Sequence, residues 1–291
     1  MDEASRASAI AVPARRSPML NAALLLLTAM TMTLGGALQE GVDPFGQPEL
    51  LARGLPYAAT LLAILLAHEM GHYLMCVRHG VDASLPYFLP GPPLPAGTFG
   101  AFIRIRSRFP DRRALFDVAA AGPWAGFVVA VAATIYGLTR SKIMPDAAAA
   151  GGVVLGDSLV MTILTWTVLG ADPATVVLDP VAYAGWLGFF VTALNLIPVG
   201  QLDGGHVLYA AAGRSPRFLS ALLVAFLVWL GFGGWRGWLV WAILIVGLLG
   251  LGHPTTDDDR RPLDGMRRLA AAATFVIFVL TFVAEPFKIL P

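Results

Sequence analysis

With 57% hydrophobic and 13% charged residues across 291 positions and a mean hydropathy of +0.70, the chain lies outside the range of soluble globular domains, where about 25% of residues are charged. The composition is that of a polytopic membrane protein. A net charge of +1 gives no bulk attraction to nucleic acid. The single cysteine, Cys76, has no internal disulfide partner and reads as a small packing hydrophobe.

Arg6, Arg15 and Arg16 precede the apolar run Met19 to Leu38. That run, about 20 residues, exceeds a signal-peptide core of roughly 7–15 and lacks a small-x-small cleavage site, so it is expected to be the first span. The basic flank puts the N-terminus in the cytoplasm. Glu40, Asp43 and Glu49 against Arg53 suit an outer loop over 39–55. A second span then runs inward from Pro56 to Arg78 and His79, carrying His68-Glu69-Met70-Gly71-His72. At about 1.5 Å per residue, His72 sits roughly 10 Å before the inner end, in the cytoplasmic half of the bilayer.

Pro86, Pro90, Pro92, Pro93 and Pro95 exclude a regular helix over 82–97 and predict a stiff, extended connection. After it, Ile103 and Ile105 alternate with Arg104 and Arg106, a period of two that predicts a strand or hairpin over 99–108. The arginines place it on the cytoplasmic side. A third span, 114–138, contains Ala121-Gly122-Pro123-Trp124-Ala125-Gly126, whose small residues permit close helix contact.

The moderately apolar stretch 153–169 holds Asp157, Ser158 and several threonines and is expected to be a partial or surface helix on the outer side. Span four, 181–198, then runs inward. It ends in Asn195-Leu196-Ile197-Pro198-Val199-Gly200-Gln201-Leu202-Asp203-Gly204-Gly205-His206, where proline and glycines argue against regular helix. Irregular polar backbone at membrane depth persists only when buried in protein or lining a wet cavity. Arg214 and Arg217 mark a cytoplasmic turn before a helical hairpin, 218–233 and 238–251, with Trp229, Trp235, Trp238 and Trp241 at its outer end as an aromatic belt. A polar cytoplasmic loop, 252–268, and a last span, 269–284, follow.

On a helix, His68 and His72 project from one face with Glu69 beside them. Catalytic zinc takes three protein ligands and leaves a fourth position for water. Asp203 is the best third ligand: it is the acidic residue in an apolar segment that chain parity returns to the same side. Glu69 would take a proton from the attacking water and pass it to the leaving amine. Asn195 has two readings, a donor to the oxyanion or a partner for carbonyls freed by Pro198. His79, His206 and His253 read as interface or capping residues, with His206 a possible partner of the ligand set.

Together, His68-Glu69-Met70-Gly71-His72, the Ala121–Gly126 segment and the Asn195–Gly205 segment resemble the site-2 protease family of intramembrane zinc metalloproteases, over about residues 56–212. The resemblance implies that His68, His72 and Asp203 bind one Zn2+ per chain, that Glu69 is the base and that Asn195 assists oxyanion or substrate binding. It also implies cleavage of transmembrane segments of other proteins. No stretch is long enough for the PDZ domain of some members, so the PDZ-free branch is the nearer likeness, and Gly252-His253-Pro254-Thr255 fits that branch loosely.

The expected architecture is an all-α polytopic membrane protein of about seven transmembrane helices plus one partial or surface helix. A small cytoplasmic-side β-hairpin lies near the active site, where an edge strand can hold an unwound substrate. Residues 1–55 form a tail, first span and outer loop, 56–212 the protease core and 213–291 the C-terminal spans. The expected setting is a bacterial or archaeal cell membrane, with transmembrane proteins and the lipid bilayer as partners and no nucleic acid; the sequence leaves the oligomeric state open. The rival readings are a zinc transporter or metal-binding membrane protein and a relative that binds membrane proteins without cutting them.

Overall fold

The computed structural model describes residues 18–144, 152–213, 217–250, 252 and 255–290. Arg6, Arg15, Arg16, Arg214, His253 and Pro254 lie outside the described residues. The chain is predominantly helical. Helix α1 (Met19–Gln39) and a 3-10 turn (Pro48–Gly54) lead into α2 (Leu55–Arg78), followed by strands β1 (Tyr87–Pro90) and β2 (Thr98–Phe102) and helix α3 (Arg112–Leu138). Short strands β3 (Lys142–Ile143) and β4 (Gly152–Leu155) precede α4 (Leu159–Leu169), β5 (Val176–Val177), α5 (Pro180–Leu196) and α6 (Asp203–Ala212). Then come α7 (Arg217–Gly233), α8 (Gly237–Leu244) with a wider-wound extension (Ile245–Leu249), α9 (Gly265–Thr281) and β6 (Phe287–Leu290).

Among the described residues, three helical segments are long and apolar enough to cross a membrane: Met19–Gln39, Pro48–Arg78 and Arg112–Leu138. The other apolar helices, including α4, α5 and the α7–α8 pair, are shorter, so the expected count of about seven spans exceeds the number that length and composition establish. Helix α4 is the short helix expected near 153–169.

Small residues bring α1 onto the 3-10 turn that leads into α2. A Cβ on Gly54 would lie 1.9 Å from the Thr33 carbonyl oxygen, and one on Gly36 would lie 2.8 Å from that of Gly54. Such backbone contact is how helices associate where lipid removes the hydrophobic drive. The largest core cluster lies between α2 and α5, with Tyr57, Leu61, Leu65, Trp186, Leu187 and Phe190. Trp238 is a correction to the aromatic-belt reading: it is fully buried, stacks on Phe282 and donates from Nε1 to the Ala284 carbonyl.

The proline-rich segment is organised by α1. Asn21 donates to the carbonyls of Leu85 and Pro86, Thr31 to that of Gly97 and Gln39 to that of Pro95. Tyr57 donates to Ala96 and Tyr183 to Pro95. Residues 21 and 39 are about 27 Å apart along a helix, so residues 85–97 lie lengthwise along α1. Each proline removes an N–H that would need a partner, and these side chains satisfy five of the carbonyls, those of Leu85, Pro86, Pro95, Ala96 and Gly97. Strands β1 and β2 pair antiparallel from Tyr87↔Phe102 to Pro90↔Thr98. The ladder is therefore earlier than the expected 99–108 strand, and Ile105 joins it only by an isolated bridge to Ala83.

Two polar clips close the other end. Arg112, buried at the start of α3, donates to the carbonyls of Ala210 and Ala211 and caps the C-terminus of α6. Asp117 accepts from His79 at 2.9 Å and from two nitrogens of Arg267 at 2.8 and 2.7 Å, tying α2, α3 and α9 together. Nearby, burial opposes ionisation of Asp259, but hydrogen bonds from Thr256 and Tyr209 outweigh it and hold the carboxyl below the usual carboxylate range.

Tyr57→Phe tests the anchoring of the proline-rich segment. It leaves the Ala96 carbonyl short of its donor and should lower stability by about 1–3 kcal/mol, read as a drop in the thermal midpoint of the detergent-solubilised protein.

Candidate metal centre

Helix α2 places the Nε2 atoms of His68 and His72 3.1 Å apart. Asp203, the first residue of α6, brings Oδ2 to 3.3 Å from each of them. Both histidines are buried. The triangle fits a metal: tetrahedral zinc with bonds of about 2.0–2.1 Å has donors about 3.3–3.4 Å apart. Among the described residues, this is the group of His, Cys, Asp and Glu able to hold an ion.

Two features of α3 set the His72 ring. Its Nδ1 lies 2.8 Å from the Val118 carbonyl oxygen. Only a protonated nitrogen can donate to a carbonyl, so Nδ1 carries the hydrogen and the Nε2 lone pair faces His68 and Asp203. A Cβ on Gly122 would lie 2.2 Å from His72 Nε2, and one on Gly71 would lie 2.5 Å from the Ala121 carbonyl oxygen. The Ala121–Gly126 segment therefore packs directly on the histidine face.

Asp203 depends on the break after α5. The helix stops at Leu196, Gly200 takes a positive φ of 56°, and α6 restarts at Asp203. Gly204 and Gly205 lie within α6, where the sequence argued against regular helix. A Cβ on Gly204 would lie 2.0 Å from the Leu196 carbonyl oxygen and one on Gly205 2.4 Å from that of Gly200. Close approach of α6 to the end of α5 outweighs their helix penalty.

A cavity of about 210 Å³ opens beside the triangle, lined also by Glu69, Ile103, Ile105, Phe109, Gln201 and His206. Ser84 N–H donates to the Arg104 carbonyl and Arg106 N–H to that of Asp82. These bonds turn the backbone groups of residues 104 and 106 towards 82–84, and alternation turns those of Ile103 and Ile105 the other way. Asn195 does not line this cavity but meets the triangle itself: its Nδ2 is 3.3 Å from His68 Nε2. The Val118 carbonyl and the contact at Gly122 were missed in the sequence, where only the run of small residues signalled close packing.

A buried two-histidine, one-aspartate group able to hold a metal ion, with a neighbouring glutamate and apolar helices of membrane-crossing length, defines the class: a helical protein with a candidate metal centre. The model of peptidase family M50 matches residues 56–232, and the chain belongs to that family, the site-2 protease family. It is 39% identical over 168 residues to the probable zinc metalloprotease EGY1, chloroplastic, of Arabidopsis thaliana, covering 55% of this chain and 30% of that protein. It is 37% identical over 183 residues to the EGY1 protein of Oryza sativa subsp. japonica, covering 61% and 31%. For EGY2 of Arabidopsis thaliana the identity is 32% over 193 residues, covering 61% and 32%. The chain thus spans under a third of the length of these relatives. No solved structure matches it.

The contact at Gly122 separates ring placement from general packing. Gly122→Ala should weaken metal affinity about 10–100-fold with helix content retained. Gly126→Ala, whose Cβ would lie 3.2 Å from His68 Cβ, should cost less. Metal competition with a chelator and far-UV circular dichroism check both.

Proposed function

We propose that this chain is an intramembrane zinc metalloprotease that hydrolyses peptide bonds in or near transmembrane segments of other membrane proteins. The observation that carries this reading is the near-equilateral donor triangle with Glu69 in the adjoining cavity. His68, His72 and Asp203 hold the ion. A zinc ion there supplies Lewis-acid chemistry, acidifying water and polarising the scissile carbonyl. Glu69 takes a proton from the attacking water as oxygen bonds to the carbonyl carbon. When the C–N bond breaks, Glu69 delivers that proton to the departing nitrogen, giving a carboxylic acid and an amine. Asn195, beside His68, orients groups at the metal side of the site.

Substrate enters as an extended strand, because helical peptide bonds are shielded. The outward backbone groups of Ile103 and Ile105 supply the pairing edge, and the buried site with its apolar walls limits water to what the reaction needs. Residues 56–212 form the protease core, with 1–55 and 213–291 framing it. The bilayer is the working environment, the N-terminus is cytoplasmic and the site sits in the cytoplasmic half. The relatives named above are chloroplastic plant proteins and lend no support to a bacterial or archaeal cell membrane.

Glu69→Gln should reduce cleavage of a model transmembrane substrate by about 10²–10⁴-fold while zinc content, measured by elemental analysis, stays equal to wild type. Equal cleavage by the two proteins would overturn the assignment. Ile105→Pro removes an outward N–H without touching the bonds to 82–84, so cleavage should fall while zinc content holds; unchanged cleavage would sink strand pairing.

A further inference from the structure

The cavity beside the donor triangle carries more polar groups than the proposed reaction uses. Beyond the three ligands and Glu69, its polar side chains are Gln201 and His206. We propose that His206 is a catalytic hydrogen-bond donor to the oxyanion that develops on the scissile carbonyl. The inference rests on the metalloprotease reading above.

Position is the first argument. His206 follows Asp203 by three residues on α6, so both project from one helix face, and one short element sets the ligand and the donor together. That element has little freedom. Gly204 and Gly205 seat its first turn against the carbonyls of Leu196 and Gly200, and the His206 N–H donates to the Leu202 carbonyl at 2.9 Å. The ring of Phe109, centred 6.4 Å from the imidazole at 56°, flanks it from the segment before α3. Phe109 also lines the cavity.

Chemistry is the second. A neutral imidazole carries one N–H in either tautomer, and a donor aimed at developing charge acts where water is excluded. Asn195 meets the His68 nitrogen and does not line this cavity, so a side-chain donor on the substrate-facing side comes from the cavity's own polar walls, where His206 shares the helix of the ligand Asp203. The step moves no proton through His206: it donates a hydrogen bond and keeps its hydrogen, while Glu69 carries the transferred proton.

The experiment compares the 291-residue chain with its His206→Ala and His206→Gln variants, all zinc-loaded, on a model transmembrane substrate. It measures kcat and KM, zinc affinity by chelator competition, and binding of a phosphinic peptide, a tetrahedral anion, against its neutral amide counterpart. His206→Ala should lower kcat about 10²–10³-fold with KM and zinc affinity unchanged, and should weaken phosphinate binding but not amide binding. His206→Gln, which keeps a donor, should recover part of the loss and covers the case in which the alanine variant misfolds. Unchanged kcat, a loss of zinc in proportion to activity, or equal weakening of both peptides would overturn the role. Failure of wild type to cleave would instead overturn the metalloprotease reading on which it rests.

Discussion

The close approach of α3 to α2 governs the candidate site. Gly71 and Gly122 let the two backbones meet, which brings the Val118 carbonyl within 2.8 Å of His72 Nδ1. That single hydrogen bond selects the tautomer and turns the other nitrogen towards His68 and Asp203. A larger residue at either glycine would separate the helices and release the ring. The run of small residues around Gly122 thus has an electronic consequence as well as a packing one: it decides which nitrogen holds a lone pair.

Asp203 reaches the same point by a different route. A continuous helix through 196–203 would carry the carboxylate past the histidines along a fixed axis. The break at Ile197–Leu202 frees the direction of α6, and Gly204 and Gly205 pull the new helix back against the old one. Arg112 then holds the far end of α6 through the Ala210 and Ala211 carbonyls. Helix α6 is ten residues long and fixed at both ends by α5 and α3. Short length and double anchoring suit an element that must place a ligand to within a fraction of an ångström.

Much of the site was legible in the sequence because its signals are local. Two histidines four apart lie on one helix face whatever surrounds them, and proline with glycine around 198–205 announced a break near a carboxylate. The position of Asp203 needed chain parity as well. What stayed hidden depends on tertiary backbone contacts. No residue type marks the Val118 carbonyl as a partner of His72, and Arg112 looked like one of several arginines beside a span. The alternation of Ile103 and Ile105 was a real period-two signal, but it marks which backbone groups face outward, not where the β1–β2 ladder ends. Trp238 has the composition of a belt residue and the surroundings of a core residue, and composition alone does not separate the two.

The proline-rich segment shows how irregular chain is kept beside a membrane-length helix. Its carbonyls find hydroxyl and amide donors on α1, α2 and α5, at Asn21, Thr31, Gln39, Tyr57 and Tyr183. In water such a loop would need none of them. Helix α1 therefore serves the loop as a solvent, a fixed and ordered one, taking the place of water at the carbonyls of Leu85, Pro86, Pro95 and Gly97. Like any solvent it sets what can dissolve in it: the loop keeps its path where a donor stands opposite these carbonyls, so the two segments are free to change only together.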